Sequence, residues 1–217
     1  PMNLVEDLAR DLRARPEFEG ATVTDKLGAA LPTRRPYDSA VAPGFMAVGD
    51  AAGHVNPTTG GGIAGAAFSG RYAGEQAVSA ISSGDVGEAS LWEYNERVMD
   101  RFGTRYAGLD VYNILSTSIE VDNLMGLLAA LPGEKLAEAL YSGTTSFGVG
   151  LILKTIRNSF GYWGEILNFY RTKNLADEVM TQYNDYPSRP SGLDGWQATR
   201  NDIMDNIYDV TGADPKY

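Results

Sequence analysis

The chain has no cysteine and only one histidine, His54. The first absence excludes disulfides, thiolate metal sites and thiol catalysis. The second leaves a His-based metal site or a Ser-His-Asp triad without the partners it needs, so no metal is expected. Basic residues are also scarce: 18 Lys and Arg stand against 28 Asp and Glu, for a formal charge of -10. A nucleic-acid surface has the opposite sign, so no nucleic-acid partner is expected. Long apolar runs are missing as well. The longest, near 124–131 and 148–153, are too short to span a bilayer. The N-terminus is acidic and amphipathic rather than basic and then apolar, unlike a signal peptide, and the expected location is cytoplasmic. Arginine outnumbers lysine and acids outnumber both together, a balance that suits either a high-salt cytoplasm or an ordinary acidic protein.

What is present organises into helices after a short irregular start. The 217 residues are enough for one large domain or two small ones. Leu4, Val5, Leu8 and Leu12 recur at helical spacing, and Pro16 and Gly20 close that helix. The segment 21–32 alternates loosely and carries β-branched residues, which predicts a strand or hairpin arm. Pro32, Pro36 and Pro43 punctuate the connection that follows. Helices are predicted over 63–82, with Leu91, Tyr94, Val98 and Phe102 on one face of the next, and Asp85 or Ser90 as its N-cap. A further helix over 105–131 ends at Pro132-Gly133, and a short one covers 134–141. Ile152, Ile156, Phe160, Trp163, Leu167 and Tyr170 form an apolar stripe, continued by Leu175, Val179 and Tyr183. The aromatics Phe160, Trp163, Phe169 and Tyr170 read as helix core rather than as a lipid groove. Pro187, Pro190 and Gly192 mark a turn before a last helix with Trp196, Ile203 and Ile207 inward. The chain opens in mid-pattern at Pro1, which reads as the C-terminal part of a longer protein.

The most informative stretch is 44-GFMAVGDAAGHVNPTTGGGIAGAAFSGRYAGEQA-77. Residues 45–48 are predicted to form a buried strand whose end presents Asp50, with a helix beginning near Gly60. A carboxylate there offers an acceptor for hydroxyls. The helix start and the bare N–H groups of Gly60, Gly61 and Gly62 offer donors with partial positive charge. A polyol attached to an electron-accepting ring, as in a flavin, needs both. Pro57 stiffens the loop, and the glycines allow backbone to approach a flat ring. Asp50 as a plain helix cap is the alternative. His54 reads as an exposed loop histidine, against a proton-donor role. Arg34 and Arg35 read either as a solvated pair or as phosphate contacts.

At Gly49-Asp50-Ala51-Ala52, Pro57, Gly60, Gly62 and Ile63 the sequence resembles the second FAD-binding motif of the p-hydroxybenzoate hydroxylase superfamily. Within it, 49-GDAAGHVNPTTGGGI-63 together with 34-RRPYD-38 is most similar to the geranylgeranyl reductases, in particular the archaeal enzymes that saturate isoprenoid chains of membrane lipids. The resemblance is sharp over about 32–110. It implies an α+β, mostly helical C-terminal part of an FAD-linked reductase, with FAD contacts at Gly49, Asp50, Pro57, Gly60, Gly61, Gly62 and Ile63. Hydride transfer from reduced FAD to an isoprenoid double bond, followed by protonation, is the implied chemistry; no catalytic residue is assigned.

The implied domains are 1–43, the end of the substrate-domain strands; 44–104, the C-terminal part of the FAD-binding domain; and 105–217, a helical C-terminal domain. The implied partners are an isoprenoid lipid, a reduced donor of the NAD(P)H or ferredoxin kind, and peripheral contact with a membrane. The superfamily's first motif, a G-x-G-x-x-G turn near the N-terminus that holds the ADP pyrophosphate, is missing there. Gly60-Gly61-Gly62 is no substitute, with no acidic ribose partner at the right spacing. The reductases' cysteine-containing flavin motif is missing too. The chain alone is therefore expected to bind FAD poorly. An FAD-dependent hydroxylase or halogenase, and a non-catalytic helical binding module, are the alternative readings.

Overall fold

A computed structural model describes residues 4–25, 30–122 and 163–215. Two compact units are present, 1–31 and 32–217. In the first, α1 (Leu4–Arg13) carries Glu6 and Asp7 in its first turn and Arg10 and Arg13 in its last. That polarity complements the helix dipole. Pro16 opens a short 3-10 turn, Pro16–Phe18. Residues 21–25 are irregular, so the described part of the strand predicted over 21–32 does not form. No backbone pairing partner holds these residues, and propensity without a neighbouring strand does not make a sheet.

The second unit is mostly helical with one two-stranded sheet. β1 (Val41–Ala42) pairs antiparallel with β2 (Phe45–Met46), Val41 opposite Met46 and Ala42 opposite Phe45. Pro43 and Gly44 make the turn, with Gly44 at φ +71°. Proline followed by a positive-φ glycine is the type II pattern, whose twist opposes that of the flanking strands and splays them. The strand therefore ends after Met46 instead of running to Val48. Phe45 is 59% exposed and Val48 38%, so the run expected to be a buried strand is neither full-length nor buried.

Helix α2 (Ile63–Ser83) starts close to where the alanine-rich run predicts it, and Gly84 closes it at φ +72°. Its inward residues are small or polar: Gly65, Ser69, Gln76 and Ala80. Its apolar residues Ile63, Val78 and Ile81 face outward. Helix α3 (Glu88–Val98) follows a turn in which Asp85 accepts from Gly87 N–H at 2.8 Å and from the Ser90 hydroxyl. Gly87, not Asp85 or Ser90, occupies the N-cap position. Leu91, Tyr94, Val98 and Phe102 are all buried, as their spacing predicts.

No loop separates α3 from α4 (Thr104–Ser118): a π turn, Met99–Gly103, joins them end to end. Helix α5 (Trp163–Asn184) and α6 (Leu193–Thr211) pack with α4 around Val111, Ile114, Val179, Tyr183, Trp196 and Ile207. Gly108 lets Met180 close in, because a Cβ there would lie 2.7 Å from its sulfur. A second cluster gathers Leu91, Trp92, Tyr94, Val98, Phe102 and Leu109 against Val41, Ala52 and Ala80. Tyr170 is 45% exposed, so that aromatic is not core. Pro132-Gly133, the helix over 134–141, and Ile152, Ile156 and Phe160 lie outside the described residues. Among the described residues, no helix is long and apolar enough to cross a membrane.

Candidate functional site

After β2 the chain forms a 3-10 turn, Gly49–Ala52, closed by Gly53 at φ +69°. Gly49 itself sits at φ +57°, a region that a side chain would strain. Its N–H donates to the Ser69 hydroxyl of α2 at 3.0 Å, and its carbonyl accepts from His54 N–H at 3.0 Å. Residues 56–61 then fold on themselves. The Asn56 side-chain oxygen accepts from Thr58 and Thr59 N–H at 2.9 and 3.2 Å, and Asn56 and Gly60–Gly61 exchange backbone bonds. Pro57 occupies the second position of that turn, where its fixed φ is favourable.

This loop brings Asp50 to the N-terminus of α2. A Cβ on Gly62 would lie 2.6 Å from Asp50 Oδ1, so the carboxylate rests directly over that glycine. Asp50 is exposed, and its carboxylate has no hydrogen bond or ion pair among the described residues. No side chain caps α2. The N–H groups of its first turn therefore have no intrahelical partner and face outward beside an unengaged carboxylate. Ile63, the first helical residue, is 91% exposed. The loop thus sets an exposed acceptor and an exposed apolar side chain beside the helix start.

His54 lies at the centre of this construction. It is 1% exposed, which overturns its reading as an exposed loop histidine. The physical reason is the neighbour it meets: its ring stands edge-on to Phe102 of the π turn, centroids 4.9 Å apart. Burial lowers its pKa from the ordinary value to about 4. Its Nδ1 is buried without a partner.

The segment 34–38 straps the turn to the helices. Tyr37 N–H donates to Ala52 O at 3.3 Å, beneath Gly53. Arg34 and Arg35 both pair with Asp110 of α4, at 2.6 and 3.2 Å, and Asp110 is wholly buried. They are thus not a solvated pair; the one carboxylate on the inner face of α4 takes both guanidinium groups. Asp38 receives Arg200 of α6 through both oxygens, at 2.6 and 2.7 Å. Gln197 adds a third bond to Asp38 at 2.8 Å. Asp110 and Arg200 carry no local motif, and Asp38 closes the 34-RRPYD-38 stretch without any role assigned from sequence. The legible clue was Asp110, an acid inside the apolar run Ala107–Val111.

Gly60, Gly62 and Gly65 do spell G-x-G-x-x-G, but the arrangement is not that of a dinucleotide turn. The segment before them is a loop rather than a strand, and the acid twenty residues past Gly65, Asp85, is engaged in the turn before α3.

No family model matches the chain. Curated relatives do, among them the following three. A digeranylgeranylglycerophospholipid reductase of Sulfolobus acidocaldarius is 26% identical over 191 residues, 87% of this chain and 42% of the relative. Digeranylgeranylglycerophospholipid reductase 1 of Methanococcoides burtonii is 39% identical over 90 residues, 42% of this chain and 22% of the relative. The enzyme of that name from Thermoplasma volcanium is 45% identical over 64 residues, 30% of this chain and 16% of the relative. The chain is similar to these digeranylgeranylglycerophospholipid reductases. It spans less than half the length of the curated relatives it matches. Their shared name is that of a lipid reductase, an oxidoreductase acting in archaeal phospholipid metabolism.

Proposed function

We propose that this chain contributes the ring-facing side of an FAD site in an enzyme that saturates the double bonds of geranylgeranyl chains in membrane lipids. The observation that carries the reading is the unengaged Asp50 carboxylate resting over Gly62, at a helix start that no side chain caps. A structural cap would spend that carboxylate on the helix N–H groups; here both remain available. The residues present fit the group. Asp50 accepts from the ribityl hydroxyls, Gly60, Gly61 and Gly62 let backbone approach the ring, and Gly49 and Pro57 hold the loop in shape. Ile63 offers an apolar surface to one side. Flavin held here and reduced by an external donor would supply the hydride for one carbon of the double bond, the other carbon taking a proton. The chain's own part is to orient the ring and to place the positive end of α2 where negative charge develops upon reduction. The reductant is a donor of the NAD(P)H or ferredoxin kind, and the lipid substrate brings the enzyme to the membrane surface.

Among the described residues no turn is arranged to hold a pyrophosphate, so riboflavin, FMN and FAD should bind the chain with similar, weak affinity. Fluorescence titration of the three flavins tests this. Asp50→Ala should weaken each roughly ten- to hundredfold, from the loss of a charge-assisted hydrogen bond of about 1.5–3 kcal/mol. Asp50→Asn, which keeps one acceptor oxygen in place, should lose less. Flavin binding that is unaffected by Asp50→Ala, or no saturable binding of any flavin, would overturn the proposal. A stoichiometric complex that strongly prefers FAD would show that an adenylate site exists in the chain.

A further inference from the structure

We propose that His54 is the positioning residue of this site: its neutral imidazole, seated edge-on against Phe102, holds the turn that carries Asp50 against the first turn of α2, and acid releases it. Three contacts meet at this one residue. Its N–H donates to Gly49 O, which fixes the start of the Asp50 turn. Its carbonyl lies so close to α2 that a Cβ on Gly65 would stand 2.0 Å away. Its ring packs on Phe102 of the π turn. A π turn within a continuous helix carries a geometric cost and recurs at functional sites, and this one aims an aromatic edge at the back of the loop. His54 thereby ties together the Asp50 turn, the start of α2 and the α3–α4 junction, while remaining buried itself.

Among the described residues, nothing around the ring is arranged to receive a positive charge: its Nδ1 has no partner there, and burial is the cause of its lowered pKa. The charged residues on the elements packed against it are Asp50 on its own turn, Arg34, Arg35 and Asp38 on the strap, Arg71 and Glu75 on α2, and Asp100 and Arg101 on the π turn. Arg34 pairs with Asp110, Asp38 with Arg200, and Arg71 with Glu75. Arg35 is engaged with Asp110, Arg101 lies over the Phe68 ring at 4.3 Å, and Asp100 is exposed. Protonation of His54 therefore favours a state in which the ring reaches water. Because the bond to Gly49 O is made by the backbone N–H of His54, the chain must shift at His54 to let the ring out. That shift loosens the bond and moves the Asp50 carboxylate away from Gly62. Asp50 contacts the ligand; His54 acts only through it. The functional part of this inference rests on the flavin reading, but the coupling of His54 to the turn does not.

The experiment uses the whole 217-residue chain. His54 is its only histidine, so its imidazole gives a single, self-assigned carbon-bound proton signal for NMR titration. Amide hydrogen exchange is followed in parallel at Gly49, His54 and Gly62, corrected for intrinsic rates, with α6 amides as control. Between pH 7 and pH 4 the opening of the turn should rise on the order of a hundredfold, which is what a shift of this size allows, while α6 amides stay protected. His54→Phe, which packs on Phe102 but cannot be protonated, should abolish the acid step; His54→Leu provides the same test if the phenylalanine variant does not fold. In the flavin titration, wild type should lose affinity over that pH range and the non-titrating variant should not. A histidine titrating near its ordinary value, an acid step that survives both replacements, or opening that spreads equally to α6 would overturn the inference. Loss of the exchange step with no flavin binding at any pH would keep the positioning role and remove the flavin reading.

Discussion

Gly65→Ala should be among the most damaging single-methyl additions available in this chain. The new Cβ would lie 2.0 Å from His54 O, 3.1 Å from its carbonyl carbon and 3.2 Å from its Cβ. A carbon and a carbonyl oxygen in contact stay about 3.3 Å apart, so something must move by on the order of 1 Å. The obstacle is backbone, and it cannot yield freely. His54 N–H is bonded to Gly49 O, Gly49 N–H to Ser69 of the same helix, and the His54 ring is seated on Phe102. Overpacking of this kind costs about 1–3 kcal/mol, and each lost backbone bond adds about 1 kcal/mol. The gain in helix propensity returns about 1 kcal/mol. The expected net loss is about 2–4 kcal/mol. Gly70→Ala is the matched control, one helix with nothing within 4 Å of the added methyl; it should stabilise by about 0.5–1 kcal/mol. Urea unfolding followed by tryptophan fluorescence and far-UV circular dichroism measures both. If the two variants shift the midpoint upward by similar amounts, the close approach of α2 to His54 is wrong.

Other outcomes follow from the same geometry. Asp110→Ala leaves Arg34 and Arg35 without their shared carboxylate in a largely buried position, and should cost about 3–5 kcal/mol in the same urea experiment. Asp50→Ala removes an exposed, unengaged carboxylate, and should leave stability within about 0.5 kcal/mol of wild type; a larger loss would mean the carboxylate caps the helix. The lowered pKa of His54, about 4 against 6.5, means that the unfolded chain binds the extra proton first. The stabilisation is complete above pH 6.5 and is lost as pH falls toward 4, a difference of about 3 kcal/mol. Comparing the pH dependence of unfolding for wild type and His54→Phe isolates that contribution, and parallel curves would refute it. Tyr94→Phe removes the hydroxyl that donates to Ala47 O at 2.6 Å, and should cost about 1 kcal/mol while loosening the end of β2.

Local chemistry was enough to place α2, α3 and the loop before α2, whereas the helix predicted over 105–131 stops at Ser118, where Ile119 turns extended. The 3.6-residue spacing of Leu91, Tyr94, Val98 and Phe102, the alanine-rich run after Gly62 and the glycine at position 84 each act within one or two turns, so the sequence alone determined α2 and α3. The cluster of Gly49, Asp50, Pro57 and Gly60–Gly62 was legible for the same reason: turn residues and a helix start are short-range signals. What only the tertiary structure decided involves partners far apart in the chain. Val23, Thr24 and Val48 have β-type side chains but, among the described residues, no strand pairs with them, and pairing rather than propensity makes a strand. His54 looked like a loop residue because the ring that buries it, Phe102, comes 48 positions later across a π turn that no periodicity announces. Arg34 and Arg35 read either as a solvated pair or as phosphate contacts because the carboxylate that takes both, Asp110, reaches them from α4, as Arg200 reaches Asp38 from α6. A sequence shows which residues can be buried or charged; only packing brings a buried histidine its aromatic edge and a buried arginine its carboxylate.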